Sequence, residues 1–130
     1  MSLRHPQARF AVIGQPIDHS LSPYIHKAFA RQWGVDLDYA RIELTPETLA
    51  DGLTQFASNG GLGLNVTLPH KRSVMAQCVS LTSRAATALA VNTLTFDGDG
   101  WHGDNTDGIG LINDLCQRHG VDLRGRRTLL

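Results

Sequence analysis

Short apolar runs alternate with segments of helical periodicity along most of the chain, and this alternation restricts the fold more than any other feature. Runs at residues 9–14, 37–44 and 91–96 have the length and composition of strands, and a fourth ends at Thr67. Helical patterns separate them, the first stopping at Gly34. Strands that alternate with helices pair mostly in parallel within one layered sheet. The sequence therefore predicts an α/β domain with three α/β/α layers and a mostly parallel, twisted sheet of about six strands.

One pair of predicted strands is an antiparallel hairpin. Residues 97–100 (Asp-Gly-Asp-Gly) are a hairpin turn signal between two strands, the second lying around Trp101. Gly98, Gly100 and Gly103 also spell the GxGxxG pattern of dinucleotide-binding loops. That fingerprint must follow a strand and itself open a helix. Here it falls on the predicted turn, so we exclude a dinucleotide site at this position.

Residues 65–71 (Asn-Val-Thr-Leu-Pro-His-Lys) are predicted to end a buried strand and begin a helix. Asn65 and Thr67 leave the strand on the same face, because side chains alternate. Lys71 is then expected in the first helical turn, where a cation opposes the helix dipole at a cost of about 0.3–1 kcal/mol. A carboxylate should compensate for it, and Asp107 is the candidate. A solvated lysine at a polar strand end is the alternative.

Polar side chains occur at most junctions between predicted strands and helices. Ser22 can cap the helix that starts at Pro23, and the residues at the other junctions can cap helices or form turns. In a parallel sheet, however, these junctions share the edge at which ligands bind. A rim of hydroxyls and amides with one lysine–aspartate pair suits a small polyhydroxylated acid. The junction residues are Ser20, Ser22, Asn65, Thr67, Asn92, Thr106 and Asp107.

Composition excludes several classes of function. Twelve acidic and twelve basic residues leave no net charge, so the chain has no basic field for nucleic acid. No apolar run approaches the length of a membrane span, and the polar residues 1–9 are not a signal peptide. Cys78 and Cys116 lie apart on predicted helices as buried thiols, and the six histidines lack metal-ligand spacing. We therefore expect a cytoplasmic protein without a metal, nucleic acid or membrane partner.

Four motifs occur in one order along the chain: residues 20–23 (Ser-Leu-Ser-Pro), 65–71, 90–94 (Ala-Val-Asn-Thr-Leu) and 103–110 (Gly-Asp-Asn-Thr-Asp-Gly-Ile-Gly). Together they resemble the motifs of the shikimate dehydrogenase family. The resemblance extends over nearly the whole chain from Phe10 onward. Each motif alone is weak evidence, whereas four in register are highly specific.

The resemblance implies roles for individual residues. Ser20 and Ser22 are expected to hold the carboxylate of shikimate through their hydroxyls. Lys71, paired with Asp107, is expected to be the acid–base residue, since a nearby carboxylate favours the ammonium form that protonates a carbonyl oxygen. The remaining substrate contacts are expected from Asn65, Thr67, Asn92, Thr106 and Asp107.

The resemblance also implies a cofactor and a second domain. The family reduces 3-dehydroshikimate to shikimate, a step of aromatic amino acid biosynthesis, with NADPH bound by a C-terminal Rossmann domain. On this interpretation residues 1–123 form the shikimate-binding catalytic domain, and residues 124–130 begin the first strand of the NADP-binding domain. The chain is then the front part of a longer enzyme and is expected to be inactive by itself. A monomer and a homodimer both stay open.

Two positions depart from the family pattern. Ala90 stands where glycine usually precedes Val-Asn-Thr, and Ser83 stands where an acidic residue is common, so we assign no cofactor contact to Ser83. Two other functions stay open. A quinate or quinate/shikimate dehydrogenase would differ around the ring hydroxyls, where both serines and Thr67 favour shikimate. A small-acid binding module would lack hydride transfer altogether.

Overall fold

Six strands form one sheet in the computed structural model, which describes residues 8–129 of the chain. They are β1 (Ala8–Gly14), β2 (Leu37–Glu43), β3 (Gly61–Val66), β4 (Cys78–Leu81), β5 (Thr93–Phe96) and β6 (Trp101–Asp104). Their order across the sheet is β2-β1-β3-β5-β6-β4, and every neighbouring pair is parallel except the two that contain β5. The predicted α/β class, with a mostly parallel sheet and one antiparallel hairpin, is confirmed.

The helical segments follow the strands and cover both faces of the sheet. The two faces of β1 feed separate clusters: Ala11 and Ile13 pack with residues of the second helix, whereas Val12 packs with Ile17 and Tyr39. A central strand is expected to be apolar where both of its faces are buried, and residues 10–13 of β1 are. The helices are α1 (Ser22–Trp33), α2 (Leu49–Ser58), α3 (Ser83–Ala88) and α4 (Asp107–Asn113), with a 3₁₀ helix at Ser73–Gln77 and a π-helix at Asp114–Arg118.

Helix α2 packs as its sequence predicts. Leu49, Leu53 and Phe56 recur at helical spacing, and each is at most 8% exposed. Thr45 does not cap this helix, because Thr48 occupies the capping position without a side-chain hydrogen bond. The two threonines bond each other in the preceding turn instead.

Helix α1 differs from its prediction at both its start and its face. It begins at Ser22, so this serine makes no capping hydrogen bond and Leu21 holds the cap position. The apolar residues at helical spacing are largely exposed: Phe29 is 54% and Trp33 82% exposed. The physical reason is that α1 meets the sheet through His26, whose ring stacks on that of Tyr39 at 4.5 Å.

Lys71 does not lie in a helix, which corrects the sequence prediction. Residues 68–72 form turns, with a cis peptide bond between Leu68 and Pro69, and helical structure starts only at Ser73. The proline is part of the turn and does not open a helix. No helix dipole therefore opposes Lys71, and the argument that made Asp107 a compensating charge rests on the wrong local structure.

The segment predicted as a helix over residues 80–90 contains a strand end and a shorter helix. β4 pairs in parallel with β6, and α3 follows after Thr82. Thr82 caps α3, because its Oγ1 accepts from the backbone nitrogen of Ala85 at 3.3 Å. Cys78 lies in β4 and is only partly buried, and Cys116 is exposed in the π-helix. The prediction of two buried helical thiols is therefore wrong.

The glycine-rich segment forms the predicted hairpin. β5 and β6 pair antiparallel through a turn in which Gly98 has a φ of 97°. The last α-helix begins at Asp107, and the π-helix that continues it ends at Arg118, shortly before Gly120 with a φ of 64°. Residues 126–129 form no strand with another described residue, and Leu130 and residues 1–7 lie outside the described part. The proposed boundary at residue 124 and the interpretation of residues 1–9 stay predictions.

Candidate active site

The ends of β1, β3 and β6 and the start of β5 lie at one edge of the sheet, because β5 alone is reversed. A cavity of about 310 Å³ opens at this edge, at the lower end of the range for small-molecule sites. Val12, Ile17 and Val66 supply apolar surface, and His19 and His26 also line it. Seven of the eight predicted site residues line the cavity: Ser20, Ser22, Asn65, Thr67, Lys71, Asn92 and Asp107.

The lysine and the aspartate meet in this cavity. Lys71 Nζ donates to Asp107 Oδ2 at 2.7 Å, although the residues are 36 positions apart. The two side chains are 31% and 54% exposed, so the pair is open to a ligand. The turn carrying Lys71 is fixed on both sides: its carbonyl accepts from the nitrogen of Val91 at 2.7 Å, and the neighbouring buried His70 bonds the carbonyl of Leu44 through Nε2 at 2.6 Å.

Asn92 holds the other oxygen of this carboxylate. Its Nδ2 donates to Asp107 Oδ1 and to Thr106 Oγ1, both at 2.9 Å. Its Oδ1 accepts from the backbone nitrogen of Thr106 at 2.9 Å and from the hydroxyl of Thr93 at 2.8 Å. Both ends of the Asn92 amide are thus engaged by the protein. Thr106 does not line the cavity, so the structure gives Asn92 and Thr106 a part in placing Asp107.

Thr67 reaches the cavity because the chain beside it lacks a side chain. Its backbone nitrogen donates to the carbonyl of Ile13 at 3.0 Å. A Cβ at Gly14 would lie 2.6 Å from Thr67 Cγ2 and 3.0 Å from the carbonyl oxygen of Leu68. These distances are too short for any larger residue at position 14, so the close approach of the two strand ends requires glycine there.

The serine loop carries two hydroxyls and lies beside a cation that the sequence analysis missed. Ser20 Oγ accepts from the backbone nitrogen of Ser22 at 3.3 Å. Arg41 donates to the carbonyl of Ser20 through Nη2 and, at 2.9 Å, through Nε. Arg41 alternates on β2 with apolar residues, which indicated an exposed strand position and gave no sign of a contact with the loop. Arg41 and Lys71 make this edge favourable for an anion.

Tyr39 is a second residue that the sequence analysis did not select. It is 4% exposed, and its hydroxyl donates to Asn65 Oδ1 at 2.6 Å. Burial raises the pKa of the Tyr39 phenol to about 12, with a smaller opposing effect of a hydrogen bond to Ser22. A tyrosine on a strand is ordinary core material, so nothing in its local sequence pointed to the site.

Asp104 belongs to the same motif as Asp107 but serves another purpose. Arg84 donates to both of its oxygens, with 2.7 Å between Nε and Oδ1, and Thr82 donates to Oδ1 at 2.7 Å. The hydrogen bond from the Arg84 guanidinium, aided by that from Thr82, holds the pKa of the Asp104 carboxyl well below its usual range. These contacts tie the start of α3 to the end of β6. Ser83, beside them, does not line the cavity.

The described residues were compared with the requirements of a metal site, a membrane span and a dinucleotide loop. Within residues 8–129, no group of three or more His, Cys, Asp or Glu side chains is placed to share a metal ion. Over the same part of the chain, no helix has the length and apolar character needed to cross a bilayer. The GxGxxG residues lie in a hairpin, so they do not fit a dinucleotide pyrophosphate, which needs a helix N-terminus.

A family model and a curated relative match this chain, and both carry the same family name. The family model described as the shikimate dehydrogenase substrate binding domain matches residues 12–94. A curated relative from Stenotrophomonas maltophilia (strain K279a), named shikimate dehydrogenase (NADP(+)), is 57% identical over 122 residues. The match covers 94% of this chain and 43% of the relative, so the chain spans less than half the length of that protein.

Solved structures agree with this match. An Ael1 enzyme from Pseudomonas putida superposes with a TM-score of 0.88 at 39% identity, covering 93% of this chain and 45% of that one. A shikimate 5-dehydrogenase from Thermus thermophilus, crystallised in complex with shikimate, superposes with a TM-score of 0.85 at 32% identity. That match covers 92% of this chain and 46% of the other.

Proposed function

The chain belongs to the shikimate dehydrogenase family, through its substrate-binding domain, and from this membership we propose that it is the substrate-binding part of an enzyme that interconverts 3-dehydroshikimate and shikimate with NADP. The observation that carries the proposal is the contact between Lys71 and Asp107 inside a cavity lined by hydroxyls and amides. A cation–carboxylate pair that is open to a small cavity can bind a ring hydroxyl and move a proton. This is the acid–base task in a carbonyl reduction.

Lys71 is the proton donor in this proposal. Its Nζ donates to the carboxylate of Asp107 at 2.7 Å, which holds the nitrogen at the cavity. In the reducing direction the ammonium gives its proton to the carbonyl oxygen, which becomes a hydroxyl as the carbon is reduced. In the oxidising direction the same nitrogen takes that proton back from the hydroxyl. Asn92 keeps the carboxylate turned toward Lys71 through its bond to the other oxygen.

The serine loop binds the substrate carboxylate in this proposal. Ser20 and Ser22 line the cavity, and the Ser22 hydroxyl makes no capping bond to helix α1, whereas Ser20 Oγ accepts from the backbone nitrogen of Ser22. Hydrogen bonds from hydroxyls to a carboxylate are charge-assisted and stronger than neutral ones. Arg41 supports the same assignment, because its two bonds to the Ser20 carbonyl fix the loop and place positive charge beside it. Asn65 and Thr67, from the end of β3, contact the ring hydroxyls.

The cofactor belongs to a part of the protein other than residues 8–129. NADP is named for the Stenotrophomonas relative, and hydride is what a bound nicotinamide cofactor supplies. The GxGxxG residues lie in a hairpin and do not suit its pyrophosphate, and the chain spans 43% of that relative, so we propose that NADP binds a further domain beginning near residue 124. The two free thiols support a cytoplasmic setting for the enzyme.

The test is to replace Lys71 in the full-length protein that contains this chain. Lys71→Ala should lower kcat for shikimate oxidation by about 10²–10⁴-fold, the usual contribution of general acid–base catalysis. The KM for shikimate should change less, since several other groups bind the substrate. Lys27→Ala is the matched control, because Lys27 is exposed on α1 and lies outside the cavity. A Lys71→Ala variant with more than a tenth of the wild-type kcat would contradict the proposal.

A further inference from the structure

Tyr39 connects the buried face of the sheet to the cavity without lining the cavity itself. It lies on β2, is 4% exposed, and its ring is held against that of His26 with an interplanar angle of 16°. Its hydroxyl lies 2.6 Å from Asn65 Oδ1 on β3. Because β1 lies between β2 and β3, this hydrogen bond spans two strand spacings across one face of the sheet.

The direction of this hydrogen bond decides what Asn65 can offer to a ligand. An amide oxygen only accepts, so the phenol must be the donor. The bond therefore fixes the amide with its oxygen toward Tyr39 and its NH₂ group turned away. Among residues 8–129, no hydrogen-bond partner is found for Asn65 Nδ2, and Asn65 lines the cavity. The side chain thus has its N–H donors without a partner among these residues, whereas its oxygen is already engaged by the phenol.

The other cavity asparagine shows that this is not a general property of the site. Asn92 has both its Nδ2 and its Oδ1 engaged by Thr106, with Asp107 and Thr93 as further partners. Its amide is committed to placing Asp107. Asn65 is committed on one side only, through Tyr39, and its donor side remains for a ligand.

We propose that Tyr39 is a positioning residue for substrate binding, which acts through Asn65 by fixing its amide as a hydrogen-bond donor to an oxygen of the substrate ring. The proposal rests on the proposed function, since it takes a ring-hydroxylated acid as the ligand. It also restricts that ligand: the atom facing Asn65 must accept a hydrogen bond, as a hydroxyl or carbonyl oxygen does. Burial raises the pKa of Tyr39 to about 12, so the phenol keeps its proton, and hence its donor role, at neutral and mildly alkaline pH.

A double-mutant cycle in the full-length protein tests this proposal. Tyr39→Phe removes only the hydroxyl and keeps the ring that packs on His26. It should raise the KM for shikimate by about three- to tenfold, the range for one neutral hydrogen bond, and leave kcat within about twofold. Asn65→Ala should raise the KM by at least as much. In the Asn65→Ala background, Tyr39→Phe should have no further effect, because the group through which it acts is gone. Tyr24→Phe, on the exposed face of α1, is the control.

Each alternative outcome overturns the proposal. An unchanged KM in Tyr39→Phe would show that the hydroxyl does not matter for binding. Additive effects of the two substitutions would show that Tyr39 acts independently of Asn65, through packing or through its hydrogen bond with Ser22. If the wild-type full-length protein neither binds nor oxidises shikimate, the proposed function fails. In that case NMR tests the orientation of the Asn65 amide separately, because its side-chain NH₂ resonances must shift or broaden in Tyr39→Phe. Unchanged resonances would overturn the positioning role of Tyr39 as well.

Discussion

Asp104 and Asp107 are three positions apart in one motif, and each meets a cation, yet their surroundings differ. Asp104 receives Arg84 on both oxygens and Thr82 on one, and it has no place in the cavity lining. Asp107 receives Lys71 on one oxygen and Asn92 on the other, and its side chain is 54% exposed at the cavity. The carboxylate of Asp104 links α3 to β6, whereas the carboxylate of Asp107 faces the cavity.

The difference lies in the partners and not in the carboxylates. A guanidinium binds a carboxylate with several N–H groups in fixed geometry, which suits a permanent structural contact. An ammonium is a compact charge on a flexible stem and can transfer a proton, which Arg84 cannot do at ordinary pH. The roles of two aspartates in one short motif can therefore be distinguished by the cation that each one binds.

The largest expected effect comes from removing the charge of Asp107. Asp107→Asn removes the negative charge beside the ammonium of Lys71 and leaves one amide oxygen for two donors, Lys71 Nζ and Asn92 Nδ2, so one of these contacts becomes a contact between two donors. The kcat of the full-length protein should fall by about 10²–10⁴-fold, with little change in melting temperature. Steady-state kinetics and thermal unfolding of the same sample measure both. A variant that loses stability but keeps its kcat would place Asp107 in the same class as Asp104.

Substitutions in the serine loop (residues 20–22) sharpen the comparison with Asp107, because they should affect substrate binding and not proton transfer. Ser20→Ala removes a hydrogen bond to the substrate carboxylate that contributes about 1.5–3 kcal/mol, so the KM for shikimate should rise by about 10- to 100-fold. Ser22→Ala should also raise the KM without lowering the melting temperature, since Ser22 makes no capping bond. Ser58→Ala, an exposed serine on α2, is the control. If Ser22→Ala lowers only the melting temperature, its role is structural.

The smallest expected effect belongs to Asp104, and it concerns stability alone. Asp104→Asn should lower the free energy of unfolding by about 1 kcal/mol, a value reduced for solvent screening, and leave kcat and KM unchanged. The pKa of Asp104 is depressed in the folded protein, so its contribution is complete above the pKa of the unfolded chain and is lost as the pH falls below about 4. Denaturant unfolding at pH 7 and pH 3 should therefore show a smaller difference between wild type and variant at pH 3 than at pH 7.

Part of this site follows from the sequence because the relevant signals are local. The strand ends at Asn65 and Thr67, the hairpin at residues 97–100 and the helix start at Asp107 each have their own turn or periodicity signal. Their order fixes the sheet, and the sheet brings them to one edge. The contact between Lys71 and Asp107 was predicted, but the helix dipole that supported this prediction is absent. The reason is that a proline such as Pro69 can begin a helix and can equally lie in a turn.

The remaining features depend on tertiary packing. The contact of Tyr39 with Asn65 and that of Arg41 with the serine loop join segments 26 and 21 positions apart, and no local pattern records them. The periodicity of α1 predicted a packed apolar face, yet Trp33 is 82% exposed because the helix meets the sheet through His26. Strand β4 was missed because its four residues are too few for a periodic signal.

The reversed direction of β5 has a consequence for how much the chain can vary in length. β5 starts at the cavity edge and β6 returns to it, so their connecting turn lies at the opposite edge, roughly 10 Å away for strands of four residues. Asn92 and Asp107 are therefore held by the two open ends of the hairpin and not by its turn. Residues inserted at the turn extend into solvent on the far side, so this is the place where a tag or a longer loop can be accommodated without displacing Lys71 and Asp107.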